Sequence, residues 1–186
     1  PVDRARKKEL LIHCIKEEKW FRVLVFTKTK RGADKLTKVL NKQKINANAI
    51  HGDKTQSIRN KAIEDFKNKK ANILIATDVA ARGIDITNVD AIINFDISNV
   101  PETYVHRIGR TGRAGKSGIA LSFCSPDENA YIKLIEALIE KPIKVITDHP
   151  YIINPPKHRK KQPNTISKNK KGRKSEASKK KKKRWY

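Results

Sequence analysis

Ile73-Leu74-Ile75-Ala76-Thr77-Asp78-Val79-Ala80-Ala81-Arg82-Gly83-Ile84-Asp85-Ile86 opens on four consecutive apolar residues and then turns abruptly polar. A short apolar run with β-branched residues, bounded by polar ones, fits a strand buried on both faces. Four further runs share that character: Val23-Leu24-Val25-Phe26, Ala47-Asn48-Ala49-Ile50, Ala91-Ile92-Ile93-Asn94-Phe95 and Ile119-Ala120-Leu121-Ser122-Phe123. Between and after them the apolar period lengthens to that of helices, over 32–42 (Ala33, Leu36, Val39, Leu40), 57–68 (Ala62, Ile63, Phe66), 101–109 and 127–140 (Ile132, Ile135, Leu138, Ile139). Ahead of the first strand, residues 3–20 set Leu10, Leu11, Cys14 and Ile15 on one stripe, with Arg4, Lys7, Lys8, Glu17 and Glu18 around it. Strands alternating with helices predict an α/β domain, a parallel sheet with helices on both faces. In such sheets ligands gather at the carboxyl ends of the strands. Thr29, Gly52, Thr77 and Asp78 each follow a strand within a few residues.

The chain has 186 residues and a formal net charge of +24. Residues 157–186 hold fifteen Lys or Arg against the single acid Glu176, so this stretch carries +14 and the preceding 156 residues +10. A run such as Lys179 to Arg184 has no apolar partner with which to offset its ordering entropy. The expected division is a folded domain over 1–150 and a disordered lysine-rich tail over 151–186, the latter ending in Trp185 and Tyr186. No stretch approaches the roughly twenty apolar residues that span a bilayer, and no signal-peptide pattern opens the chain, which predicts a cytoplasmic protein and no membrane partner. Cys14 and Cys124 lack metal-ligand spacing and read as buried reduced thiols. Methionine is absent, and a piece of a longer protein is expected.

Tyr104-Val105-His106-Arg107-Ile108-Gly109-Arg110-Thr111-Gly112-Arg113-Ala114 holds three arginines at intervals of three, with glycines between them. On a helix such spacing brings the guanidinium groups close to one face, open to a polyanion. Their planar forks bind phosphate oxygens bidentately and never lose their charge. Gly115-Lys116-Ser117 imitates the end of a phosphate-binding P-loop. The imitation fails, because Arg110 stands where that loop needs its first glycine and the segment precedes a strand instead of following one. No other P-loop exists in the chain, and no acidic magnesium-holding run follows an apolar strand. Short hydroxyls, a bare backbone N–H and guanidinium groups at Thr29, Gly52, Arg59, Thr77 and Arg82 suit a grip on successive phosphates of one strand. Gln56 and Arg59, three apart, share one helix end.

Together, Leu24 to Lys30, His51-Gly52-Asp53 with Gln56-Ser57-Ile58-Arg59, Ala76 to Ile86, and His106 to Arg113 resemble the DEAD-box ATP-dependent RNA helicases. The likeness is to their second, C-terminal RecA-like domain, over residue 1 to about 146, with the bacterial RhlE-like enzymes as the nearest branch. Pro1-Val2-Asp3 resembles the linker before that domain. The resemblance implies an enzyme that hydrolyses ATP, with ATP and magnesium held mainly by an N-terminal RecA-like domain of the same protein. It also implies arginine fingers at Arg110 and Arg113, ATP-site contact at Asp85 with Gly83 turning the chain, coupling of the domains through His106 and Arg107, and RNA contact at Thr29, Gly52, Arg59, Thr77 and Arg82. No metal ligand is expected in this chain, and the chain alone is expected to be inactive. A ribosomal or RNA-decay assembly is a candidate partner. Two other readings stand beside this one: a free-standing RNA-binding or annealing module without ATPase activity, and a DNA-directed superfamily-2 helicase. An upstream P-loop would exclude the first, and RNA-specific stimulation of hydrolysis the second.

Overall fold

The computed structural model describes residues 1–18, 20–81, 84, 86, 89–111 and 118–153. Arg82, Gly83, Asp85, Arg113, residues 115–117 and residues 154–186 of the expected tail lie outside the described residues. Contacts group Pro1–Asn154 as one unit. Its sheet has five strands, β1 (Val23–Phe26), β2 (Ala47–Ile50), β3 (Ile73–Ala76), β4 (Ala91–Asn94) and β5 (Ile119–Ser122), in the order β2-β3-β1-β4-β5 and parallel throughout. The central strand β1 aligns Val23 with Ile73 on one side and with Ala91 on the other.

The central strands β1, β3 and β4 are buried on two faces, and the alternation of their side chains divides the core. Val23, Val25, Ile73, Ile75 and Ile93 pack with Leu10, Leu11, Leu36 and Leu40, from helices α1 (Lys7–Glu17) and α2 (Lys30–Lys42). Leu24, Phe26, Leu74 and Ile92 face the other way, toward Ala62 and Phe66 of α3 (Gln56–Lys67). Burying each large aliphatic or aromatic side chain stabilises the fold by about 1.5–3 kcal/mol. A one-turn helix, α4 (Asp78–Ala81), follows β3, while α5 (Pro101–Ile108) and α6 (Asn129–Ile139) join through Tyr104, Ile97 and Ile135.

Three expectations change. Helix α1 is shorter than 3–20: Asp3 caps a 3-10 turn over Arg4–Arg6 by accepting from the Ala5 amide at 2.8 Å, and the α-helix begins at Lys7. Lys7 does not belong to the solvated face; it is 1% exposed, because positions 7, 11 and 14 share the core-facing stripe. Strand β5 is less buried than an apolar run suggests, with Ile119 43% exposed, because it forms an edge of the sheet. Both cysteines are free and half-buried, and burial pushes the Cys14 thiol up to about 11. Among the described residues no helix is long and apolar enough to cross a membrane.

Candidate nucleic-acid and nucleotide interface

Because every strand runs the same way, all carboxyl ends lie at one edge of the sheet, and the polar residues just after them meet there. After β1, the buried Thr27 hydroxyl donates to the Thr29 carbonyl at 3.3 Å and shapes the loop. Thr29 then caps α2, its Oγ1 accepting from the Gly32 amide at 3.0 Å. A Cβ at Gly32 would stand 2.9 Å from that oxygen, so the close approach requires glycine. Lys30 reaches Asp53 at 2.7 Å and ties the start of α2 to the exposed Gly52 turn after β2. Nothing lies within 4 Å of where a Gly52 Cβ would be, which leaves that backbone bare on an open surface.

Beside this turn the buried His51 brings Nε2 to 3.1 Å from Asp34, although neither ring nitrogen makes a well-directed hydrogen bond. The contact is therefore electrostatic proximity. Burial pushes the Asp34 carboxyl up, but the Lys54 ammonium at 2.9 Å and the close approach of His51 outweigh it and hold Asp34 below its ordinary value.

Thr55 caps α3, and the first turn presents Gln56 and Arg59 together, Arg59 Nη1 donating to Gln56 Oε1 at 3.0 Å. Arg59 Nη2 donates to the Ala80 carbonyl at 3.2 Å, which docks the end of α3 on α4 just beyond Thr77. Its Nε has no hydrogen-bond partner. Thr77 is half-buried and donates its amide to the Ile50 carbonyl at 3.3 Å, across the ends of β3 and β2.

Arg107 departs from the sequence expectation. Arg107 and Arg110 do not share one helical face: α5 ends at Ile108, Arg110 lies beyond its cap, and Arg107 is 3% exposed. Its fork closes on Asp78, with Nε to Oδ1 at 2.6 Å and Nη2 to Oδ2 at 2.8 Å. Nη1 donates to Asn94 Oδ1 at 3.0 Å and to the Asp96 carbonyl at 2.8 Å, while the guanidinium lies over the Phe26 ring at 4.9 Å. No phosphate can reach it. A signal for this was present: Arg107 follows Tyr104 by three, on the face of α5 that faces inward. His106, one residue earlier, is exposed. Arg110 is half-buried and donates Nη1 to the Ile84 carbonyl at 3.1 Å, toward the loop after β3.

Asp96 is a residue that sequence reading missed. Its Oδ2 accepts the Lys28 amide at 2.9 Å, beside Thr29, and its carbonyl accepts from Arg107. The edge is thus a row of hydroxyl, guanidinium and amide donors. Among the described residues the strongly exposed aromatic is Phe21, before β1 and so at the opposite edge. A donor row without rings grips a backbone and does not stack on bases. No group of three or more His, Cys, Asp or Glu able to hold a metal occurs among the described residues.

The family profile described as the helicase conserved C-terminal domain matches residues 6–115. The chain is 48% identical over 118 residues to the ATP-dependent RNA helicase CshA of Listeria monocytogenes, covering 63% of this chain and 23% of that protein. It therefore spans about a quarter of the length of such relatives. Among solved structures it is similar to the E. coli DEAD-box protein SrmB bound to regulator of ribonuclease activity A, at 38% identity and a TM-score of 0.73 over 78% of this chain and 87% of that one. It is also similar to S. cerevisiae Dbp5 bound to RNA and ADP BeF3, at 32% identity and a TM-score of 0.67 over 73% and 37%. A parallel sheet whose strand ends carry these motifs in order, and whose likeness spans most of SrmB's solved chain, leaves one assignment: this chain belongs to the DEAD-box RNA helicases and is a C-terminal RecA-like helicase domain of that family.

Proposed function

We propose that this chain is the half of an ATP-dependent RNA helicase that grips the RNA backbone and completes the ATP site with arginine. The observation that carries the reading is the convergence of Thr29, Gly52, Arg59 and Thr77 on successive strand ends at one sheet edge, with Arg110 turned toward the loop that follows one of them. Arg82 extends the same RNA track. The naming of relatives as ATP-dependent RNA helicases, and the Dbp5 structure with RNA and ADP BeF3, support both ligands. ATP and magnesium are held mainly by the N-terminal RecA-like domain of the same protein, with Asp85 and Gly83 meeting the nucleotide from this side. Closure of the two domains brings Arg110 and Arg113 against the charge that develops on the transferred phosphoryl group, the recurring role of a guanidinium delivered from a second body. His106 faces the partner domain, whereas Arg107 couples the sites from within, by holding Asp78 next to Thr77.

The test is RNA-stimulated phosphate release by the complete two-domain enzyme. Arg110→Ala is expected to slow turnover by about 10³- to 10⁵-fold with ATP binding retained, and this 186-residue chain by itself to release no phosphate. Near-native turnover by the variant at saturating ATP and RNA removes Arg110 from the finger position, and robust turnover by the isolated chain overturns the half-enzyme reading.

A further inference from the structure

Lys7 is among the largest side chains buried to below 2% exposure, and a cation is an unexpected occupant of such a place. A well-packed apolar residue in place of a buried ion pair is often neutral or stabilising, so core packing does not by itself account for an ammonium there. Its bonds show what it joins. Nζ donates to the Phe95 carbonyl at 2.9 Å and to Glu128 Oε2 at 2.5 Å, with Asp96 Oδ1 at 3.9 Å. Glu128 in turn accepts the Ile97 amide on Oε1 at 3.1 Å, and the Ser125 amide and hydroxyl on Oε2 at 2.9 and 2.7 Å. Three segments far apart in sequence, the start of α1, the turn after β4 and the turn before α6, therefore close on one ion pair.

The turn after β4 is also where the ligand edge is anchored. Its residue Asp96 holds the Lys28 amide with its carboxylate and Arg107 with its carbonyl, and Arg107 holds Asp78. Lys28 precedes Thr29, and Asp78 follows Thr77. We propose that Lys7 is a positioning residue for the RNA track: its buried ammonium fixes the Phe95–Ile97 turn, through which Asp96 sets the Thr29 loop and the Arg107–Asp78 pair. Displacement of α1 along its axis then moves the turn, and with it two of the phosphate-gripping positions. The consequence for RNA rests on the reading of Thr29 and Thr77 given above; the positional claim does not.

Two measurements on the 186-residue chain separate these. The first is amide hydrogen exchange by NMR in Lys7→Met and in Glu128→Gln, the second being the milder change should the first not fold. The Lys28 amide is expected to exchange faster while the amides of Leu74 and Ile75 in β3 stay protected. Lys28 exchange that rises only together with the β3 amides overturns the proposal and leaves Lys7 an ordinary core ion pair. The second is anisotropy with a labelled single-stranded oligouridylate. Both variants are expected to weaken binding about 2- to 30-fold, and less than additively with Thr29→Ala. Additive losses, or none where Thr29→Ala does weaken binding, overturn the link from Lys7 to the track. Unaltered affinity in Thr29→Ala and Arg59→Ala sinks the RNA reading instead, with the exchange data still deciding what Lys7 holds.

Discussion

Arg107 and Asp78 show how one ion pair at the carboxyl edge of the sheet can serve the fold from within. The guanidinium spends its fork on Asp78, Asn94 and Asp96, so its charge is neutralised inside the fold. Breaking a buried pair by removing one partner costs about 3–5 kcal/mol, because the other is left uncompensated. Arg107→Ala is expected to fall in that range by urea denaturation. Arg107→Lys, which keeps the charge but cannot reach Asp78 and Asn94 from one planar group, is expected to recover only part of it. Equal stability of the lysine variant and the parent would show that charge alone, and not the fork, holds the pair.

At the scale of elements, two local devices carry predictions. Gly32 is the third residue of α2, and its missing Cβ gives Thr29 room to cap the helix. In Gly32→Ala the lost cap, about 0.5–2 kcal/mol, opposes the gain in helix propensity, about 1 kcal/mol. Stability should thus move little while RNA affinity falls, because the displaced hydroxyl is the Thr29 group proposed to meet a phosphate. Thermal melting and RNA titration read the two separately, and unchanged RNA affinity would detach Thr29 from the track. The other device is the turn before α6. Burial raises the Glu128 carboxyl, but the Lys7 ammonium and the Ser125 hydroxyl and amide outweigh it, so Glu128 sits below its ordinary value. A depressed folded value means a contribution fully present above the ordinary carboxyl range and lost as pH falls through the folded one. The melting midpoint should drop between about pH 5 and pH 3, and less steeply in Glu128→Gln; an equally steep drop in that variant would shift the acid sensitivity to other carboxyls, Asp34 among them.

For the whole molecule the decisive quantity is charge. Residues 157–186 carry +14 of the net +24, more than the preceding 156 residues, so on a polyanion they are expected to be the larger source of counterion release. Each neutralised phosphate of a single strand contributes about 0.7 to the slope of log affinity against log salt, so a tail on roughly five phosphates accounts for a slope of about 3 to 4. Removing residues 157–186 should flatten the slope by that amount and weaken all RNA sequences alike, since lysines on phosphates read no bases. Titrations of labelled RNA at several salt concentrations check this; an unchanged slope would assign the tail to a protein partner.

The sequence by itself determined the sheet. Runs such as Ile73 to Ala76 are apolar on both faces, and the order of strands and helices along the chain is local information that periodicity carries. It also placed Thr29, Gly52, Thr77 and Asp78 at one edge, because residues after parallel strands must emerge at one side, and the motifs there marked the family. What only the tertiary structure decided is which charges are spent inside the fold. Lys7, Asp78, Asp96, Arg107 and Glu128 look like surface charges in a linear reading, since polar residues are counted as solvated unless a partner is seen. Their partners lie 29 residues apart for Arg107 with Asp78 and 121 apart for Lys7 with Glu128. A charge becomes tolerable in a core only when the opposite charge arrives from elsewhere in the chain, and that arrival is a property of the packed molecule alone.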